Sequence, residues 1–277
     1  MRDASPLRYP GGKWRFQAFI ERVLDLNRLN RPHYIEPFAG GASLALSLLF
    51  RERVAEIHLN DLDPAIHSFW HSVLNRNQEF LEMLAQTPVS PEEWHNQKSI
   101  YARGSAAGKL PLGFATFFLN RTNHSGILNA GMIGGVDQKG RWKINARFNT
   151  GELERRIRRI HKYRSRINLS GEDAIRFLRK RRFPQNKFVY LDPPYYRSGR
   201  HLYLNAFTEA DHQTLSKYLL QLRSPWIVSY DDASETRKLY KDVASRRLRL
   251  LHTAREVRKG EEVLYFSPVL RVPMGTR

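Results

Sequence analysis

Tyr34-Ile35-Glu36-Pro37-Phe38-Ala39-Gly40-Gly41-Ala42-Ser43 runs from a short apolar strand, through a turn of proline and glycines, into Leu44-Ala45-Leu46-Ser47-Leu48-Leu49, a strong helix pattern. Glycines at such a strand-to-helix turn let the backbone come close to a ligand, as in nucleotide-binding α/β folds. The spacing is not that of the dinucleotide fingerprint G-x-G-x-x-G. The next apolar segment, Ala55 to Leu59, ends in Asn60-Asp61, placing an acid at the tip of the following strand. An acid there commonly binds ribose hydroxyls. Asp61 or Asp63 also suits a helix N-cap before Pro64, and one position can serve both purposes.

Working outward, strands alternate with helices, which implies a parallel sheet. The first half comprises helix Lys13–Leu29, strand His33–Glu36, helix Ser43–Arg51, strand Ala55–Asn60 and helix Pro64–Leu74. A second half begins near Ile167 and continues with helix Asp173–Arg181, strand Lys187–Leu191, helix Glu209–Leu222 and strand Trp226–Tyr230. Two further strands are expected near Arg247–His252 and Val263–Ser267, joined by Arg255 to Glu261.

Between the halves the alternation fails. Helical stretches at Pro91–Ala102 and Pro111–Leu119 lead to Asn120-Arg121-Thr122-Asn123-His124-Ser125-Gly126, then a glycine-rich stretch, then Arg141-Trp142-Lys143-Ile144-Asn145-Ala146-Arg147-Phe148-Asn149. Arg and Lys can read guanine edges and Asn adenine edges, while glycines let a hairpin approach a groove. The same composition also describes a surface loop with a solvated basic face.

The formal charge of +19 and a pI near 10.4 call for a polyanionic partner, nucleic acid first. Three basic clusters contribute: Arg155-Arg156-Ile157-Arg158-Arg159, Arg179-Lys180-Arg181-Arg182 and Arg246-Arg247-Leu248-Arg249. Each alone reads as a solvated face; together they favour phosphate contacts, which position DNA without specifying it. The absence of cysteine excludes disulfides, thiolate metal sites and a Cys nucleophile. His67 and His71, one helical turn apart, lack an evident third ligand, so no metal is expected. The N-terminus shows no apolar leader and no run approaches a membrane span, so a soluble, cytoplasmic protein without a membrane partner is expected.

The chemistry concentrates at Asp192-Pro193-Pro194-Tyr195, which follows the apolar run Phe188-Val189-Tyr190-Leu191. Prolines fix φ and have no N–H to donate, so their carbonyls can stand beside the carboxylate as rigid acceptors. Such acceptors can hold an exocyclic amino group by its hydrogens while the Tyr ring stacks on a planar base. The bland reading is an ordinary strand-ending turn.

The order of these segments, with Pro6-Leu7-Arg8-Tyr9-Pro10-Gly11-Gly12-Lys13 at the start, resembles the Dam-like (α-group) N6-adenine-specific DNA methyltransferases, over roughly Pro6 to Pro268. The resemblance implies a Rossmann-like S-adenosylmethionine-dependent methyltransferase sheet, closed by an antiparallel hairpin and interrupted by a mainly helical target-recognition insert. The catalytic domain would span 1–76 and 165–277, and the insert 77–164. It implies S-adenosylmethionine as cofactor, touched by Tyr9 and Lys13. Glu36, Phe38 and Gly40 would line its pocket, Asp61 would bind its ribose, and Asp173 would lie near its adenine. Asp192, Pro193, Pro194 and Tyr195 would be catalytic: Asp192 and the Pro193 carbonyl would hold the amino hydrogens of an adenine flipped out of duplex DNA, with Tyr195 stacked on the ring. Arg121, Asn123, Lys143 and Arg147 are the leading base-contact candidates. A cognate restriction endonuclease is a further candidate partner. The chain departs from the family pattern at Ala42, often a second glycine, and at Asn123-His124-Ser125-Gly126-Ile127, where Dam usually has Tyr-Asn-Gly-Leu; the GATC target is therefore not carried over. An rRNA base methyltransferase and a catalytically silent DNA-binding module stay open as alternatives.

Overall fold

A computed structural model describes residues 4–8, 13–180, 182–196, 207–253 and 257–273. Its centre is a seven-stranded sheet of β1 (His33–Glu36), β2 (Ile57–Asn60), β3 (Ile167–Ser170), β4 (Lys187–Leu191), β5 (Trp226–Asp231), β6 (Ser245–Thr253) and β7 (Val257–Phe266). They lie in the order β3-β2-β1-β4-β5-β7-β6. Pairs among β1 to β5 are parallel, whereas β7 runs antiparallel to both β5 and β6. The expected parallel sheet with an antiparallel closing hairpin is thus present. The hairpin strands are longer than anticipated: β7 begins at Val257 because the polar run Arg258 to Glu261 continues the ladder with β6.

Alternation along the strands builds two cores. Tyr34, Phe188, Tyr190 and Ile227 belong to one, and Ile35, Val189, Leu191 and Val228 to the other. The first core is covered by α1 (Gln17–Leu26), α2 (Ser43–Phe50) and α3 (Pro64–Asn75). Helix α2 is buried from Ser43 through Leu49, which is why its apolar residues run on without helical periodicity. The second core is covered by α8 (Ala174–Lys180), α9 (Glu209–Gln221) and α10 (Ser234–Leu239).

The insert folds as α4 (Asn77–Gln86), α5 (Pro91–Ala102), α6 (Lys109–Thr122) and α7 (Thr150–Lys162). Phe80, Phe114, Phe117, Phe118 and Phe148 join the same core as α2 and α3. The glycine at Gly113 permits this closeness: a Cβ there would stand 2.5 Å from the Ser68 carbonyl oxygen of α3. The expected helix Lys13–Leu29 is shorter. It opens as a 3₁₀ turn at Lys13–Phe16 and stops at Leu26, where the Asn27 amide donates to the Val23 and Arg271 carbonyls. Among the described residues, no helix is long and apolar enough to cross a membrane.

Candidate active site

The C-terminal edges of β1, β2, β4 and β5 face one region, where open α/β sheets bind ligands. β1 brings Glu36 and β2 brings Asn60 and Asp61; β4 delivers Asp192 and β5 contributes Ser229. Between β1 and α2, Gly40 and Ala42 take positive φ values of 45° and 46°. This lets the Gly40 amide donate to Asp61 Oδ2 at 2.7 Å while the Gly40 carbonyl accepts from Trp70 Nε1 at 2.9 Å. Asp61 Oδ1 accepts from the Asp63 amide at 3.0 Å. Asp63, not Asp61, caps α3 by accepting from the Ala65 amide at 2.8 Å. The two acids therefore divide the cap and the turn between them.

Asn60, wholly buried, binds the next loop: its Nδ2 donates to the Pro37 and Glu172 carbonyls, and its Oδ1 accepts from the Glu172 amide. Asp173 is exposed and accepts from the Arg176 amide at 2.9 Å, capping α8. Phe38 is half-buried with its ring edge-on to Phe207, centroids 5.4 Å apart. Tyr9 lies outside the described residues.

The centre of the site is a buried ionic cluster. Lys13 Nζ sits 3.2 Å from Asp192 Oδ1 and donates to both carboxylate oxygens of Glu262 at 2.9 Å. It also bonds the Tyr195 hydroxyl, which donates to Glu262 Oε1 at 2.7 Å. Ser229 Oγ donates to Asp192 Oδ1 at 2.7 Å and receives the Tyr190 hydroxyl at 3.2 Å. Both protein contacts to Asp192 thus fall on Oδ1. Among the described residues none bonds Oδ2, and the side chain is 24 % exposed. Pro193 is buried and Pro194 half-buried beside it.

Charge explains the protonation tendencies. Burial pulls the Lys13 ammonium down, but Asp192 and Glu262 more than offset this and hold it above its ordinary value. Burial raises Asp192, with Glu262 repelling and Lys13 and Ser229 partly compensating. Burial likewise raises Glu36 well above the carboxylate range, helped by Asp192 and Asp61. Asp61 is pushed up to about 7 by burial, against the two amide bonds it accepts. Three carboxyls thus converge inside a strongly basic chain, and buried Glu36 Oε2 has no hydrogen-bond partner among the described residues. Such a cluster of buried carboxyls suits a ligand carrying positive charge.

Sequence patterns around Glu262 and Ser229 give faint signals only: an acid opening an apolar strand in a basic region, and a hydroxyl inside the run Ile227-Val228-Ser229-Tyr230. What binds them to Lys13 and Asp192 is the sheet order, since Lys13 and Glu262 stand 249 positions apart in the chain.

In the insert, Asn123 contradicts its expected role as a base reader. It is wholly buried, its Oδ1 accepts from Trp94 Nε1 at 2.6 Å, and its Nδ2 donates to the Ile127 and Leu128 carbonyls at 2.9 Å. An amide so engaged closes a loop and leaves no edge for a base. Asn120 is a second buried organiser: it exchanges two hydrogen bonds with the Arg8 backbone, at 2.6 and 2.8 Å, tying the insert to the segment before Lys13. Half-buried Arg121 donates to the Arg147 carbonyl. Lys143 and Arg147 are exposed, as is Trp142, with the Arg141 and Arg147 guanidiniums 5.6 and 5.7 Å from its ring.

The basic clusters are partly absorbed by the fold. On α7, Arg155 and Arg156 pair with Glu152, Arg158 pairs with Glu154, and Arg159 lies over the Phe50 ring. Arg179 lies over Tyr218, Arg246 donates to the Pro273 carbonyl, and Arg247 pairs with Asp232. Arg181 lies outside the described residues.

A family model described as D12 class N6 adenine-specific DNA methyltransferase matches residues 9–255. A comparison with curated proteins returned no match.

Proposed function

We propose, for a chain that belongs to the D12 class N6 adenine-specific DNA methyltransferase family, that Asp192 and the Pro193 carbonyl orient the amino group of a flipped adenine as the nucleophile. The protein is an S-adenosylmethionine-dependent enzyme acting on adenine in DNA, which removes the RNA and silent-module alternatives. The observation that carries the proposal is the asymmetry of Asp192: Lys13 and Ser229 fix Oδ1, leaving Oδ2 to accept an amino hydrogen.

S-adenosylmethionine supplies the methyl group on an electrophilic sulfonium. The carboxyls at the β1–α2 turn fit that group: the partnerless Glu36 oxygen and the neighbouring Asp61 favour its cationic centres. Glu36, Asp61 and the Gly40 turn would hold it, with Phe38 and Asp173 at the margin. Lys13 serves a different end, clamping Asp192 and the Tyr195 hydroxyl so that the Tyr195 ring is held for stacking on the base. Accepting an amino hydrogen at Oδ2 stabilises the positive charge that grows on the nitrogen as it is alkylated.

Residues 77–164 form the target-recognition part of this proposal, and 1–76 with 165–277 the catalytic part. Arg121, Lys143 and Arg147 remain the base-contact candidates. A cytoplasmic location and a cognate restriction endonuclease as partner fit this reading of a site-specific DNA modification enzyme.

Asp192→Ala tests the centre. Removing one preorganised electrostatic partner costs on the order of 10²–10³ in rate, so turnover at saturating cofactor should fall at least that far while cofactor affinity is kept. Retention of more than about a tenth of the turnover would remove Asp192 from the chemistry.

A further inference from the structure

At the opposite edge of the sheet, three polar side chains meet that the methyl-transfer site does not use. His33 opens β1, and Glu56 and His58 flank the start of β2. Parallel register sets Ile35 beside His58 and His58 beside Asn168. Because side chains alternate along a strand, His33, Glu56, His58 and Asn168 all project from the face that carries Ile35. His33 Nδ1 lies 3.1 Å from His58 Nε2, and both ring nitrogens lie close to Glu56 Oε2, at 3.8 and 3.9 Å.

Three donors at these separations form one triangular face. Around an ion with bonds of about 2.0–2.2 Å, tetrahedral donors stand roughly 3.3–3.5 Å apart, so small rotations would seat one here. The donor set, two imidazoles and a carboxylate, is the kind that borderline divalent transition ions take. The supporting shell is also built. Asn168 Nδ2 donates to Glu56 Oε2 at 2.9 Å, and the His58 ring is held edge-on by Phe183 at 5.2 Å between centroids. Orientation of a ligating carboxylate by a hydrogen-bond donor is a recurrent device of metal sites. The side chains of His33 and Glu56 are 21 % and 38 % exposed, giving an ion an entry path from solvent.

We infer that His33, Glu56 and His58 bind one divalent transition-metal ion of the zinc class. The site revises the expectation that the chain carries no metal. Its role is structural: an ion there would pin β1 to β2, and through Asn168 to β3. About 10 Å of strand separates His33 from the catalytic edge at Glu36.

The test uses the full chain, freed of any affinity tag and stripped with a chelator, titrated calorimetrically with zinc chloride alone. Binding of one ion per chain is expected, with a rise in Tm of roughly 5 °C once zinc stands a hundredfold above its Kd. His33→Gln and Glu56→Gln should each weaken binding at least tenfold. Asn168→Leu should weaken it by about tenfold, as loss of a second-layer partner does. Matching far-UV circular dichroism and melting in chelator keep the comparison free of misfolding. Cobalt(II) in the same site should give visible absorption that zinc displaces. No binding to the wild-type chain would overturn the inference. So would unchanged affinity in His33→Gln and Glu56→Gln, or binding lost instead in a His67→Ala/His71→Ala variant.

Discussion

Two residues show how the cofactor turn balances strain against charge. Asp61, pushed up to about 7 by burial, binds its proton more tightly in the folded chain than in the unfolded one. Its contribution to stability therefore declines as pH rises from 3.8 to about 7 and is level above. If the ionised carboxylate binds the ribose, cofactor affinity should run the other way, weakening as pH falls below about 7. Calorimetric titrations between pH 5.5 and 8.5 check this, and Asp61→Asn should flatten the profile; a wild-type affinity that does not change over this range would separate Asp61 from cofactor binding. Ala42 occupies the left-handed region where the family often has glycine. Its small Cβ tolerates that conformation at a cost of about 1–2 kcal/mol. A β-branched side chain does not, so Ala42→Val should lower unfolding stability by at least about 2 kcal/mol in urea melts. A loss below about 0.5 kcal/mol would mean that the turn relaxes to another conformation.

At the scale of elements, legibility followed locality. β4 was readable to the residue because its apolar run is bounded by Lys187 and by Asp192-Pro193. α7 was hidden behind its arginines: its buried residues are only Leu153, Ile157 and Ile160, so charge masked the helical stripe. Asn123 illustrates the converse failure, since sequence names a base-reading side chain but cannot say that the side chain is buried. Arg121, Lys143 and Arg147 carry the remaining specificity prediction. Loss of a bidentate base contact should cost about 1–3 kcal/mol and relax preference at one position. Sequencing modified adenines in genomic DNA methylated by each alanine variant is the measurement. An unchanged consensus in all three would move target choice elsewhere in the insert. Asn123→Ala should instead destabilise the insert without relaxing any single position.

For the whole molecule, the formal charge of +19 overstates the free surface, because many arginines are paired or packed. On α7 the distinction is sharp: Arg156 donates to the Ser5 carbonyl as well as Glu152, whereas Arg155 and Arg158 are 74 % and 54 % exposed. Replacing Arg155 and Arg158 together should weaken binding to all duplexes alike and lower the salt slope by roughly one to two. An unchanged slope would return α7 to an ordinary solvated face. Sheet order is the one large-scale feature that no local pattern foretells, and it joins Lys13 to Glu262. Contacts of such sequence separation form late, after the loop-closure entropy of the intervening chain has been overcome. A nascent polypeptide emerging from the ribosome displays both signature motifs long before Glu262 exists to restrain the lysine. Activity should thereby be withheld until Glu262 has been synthesised, so a product terminated before that residue should leave the genome unmarked.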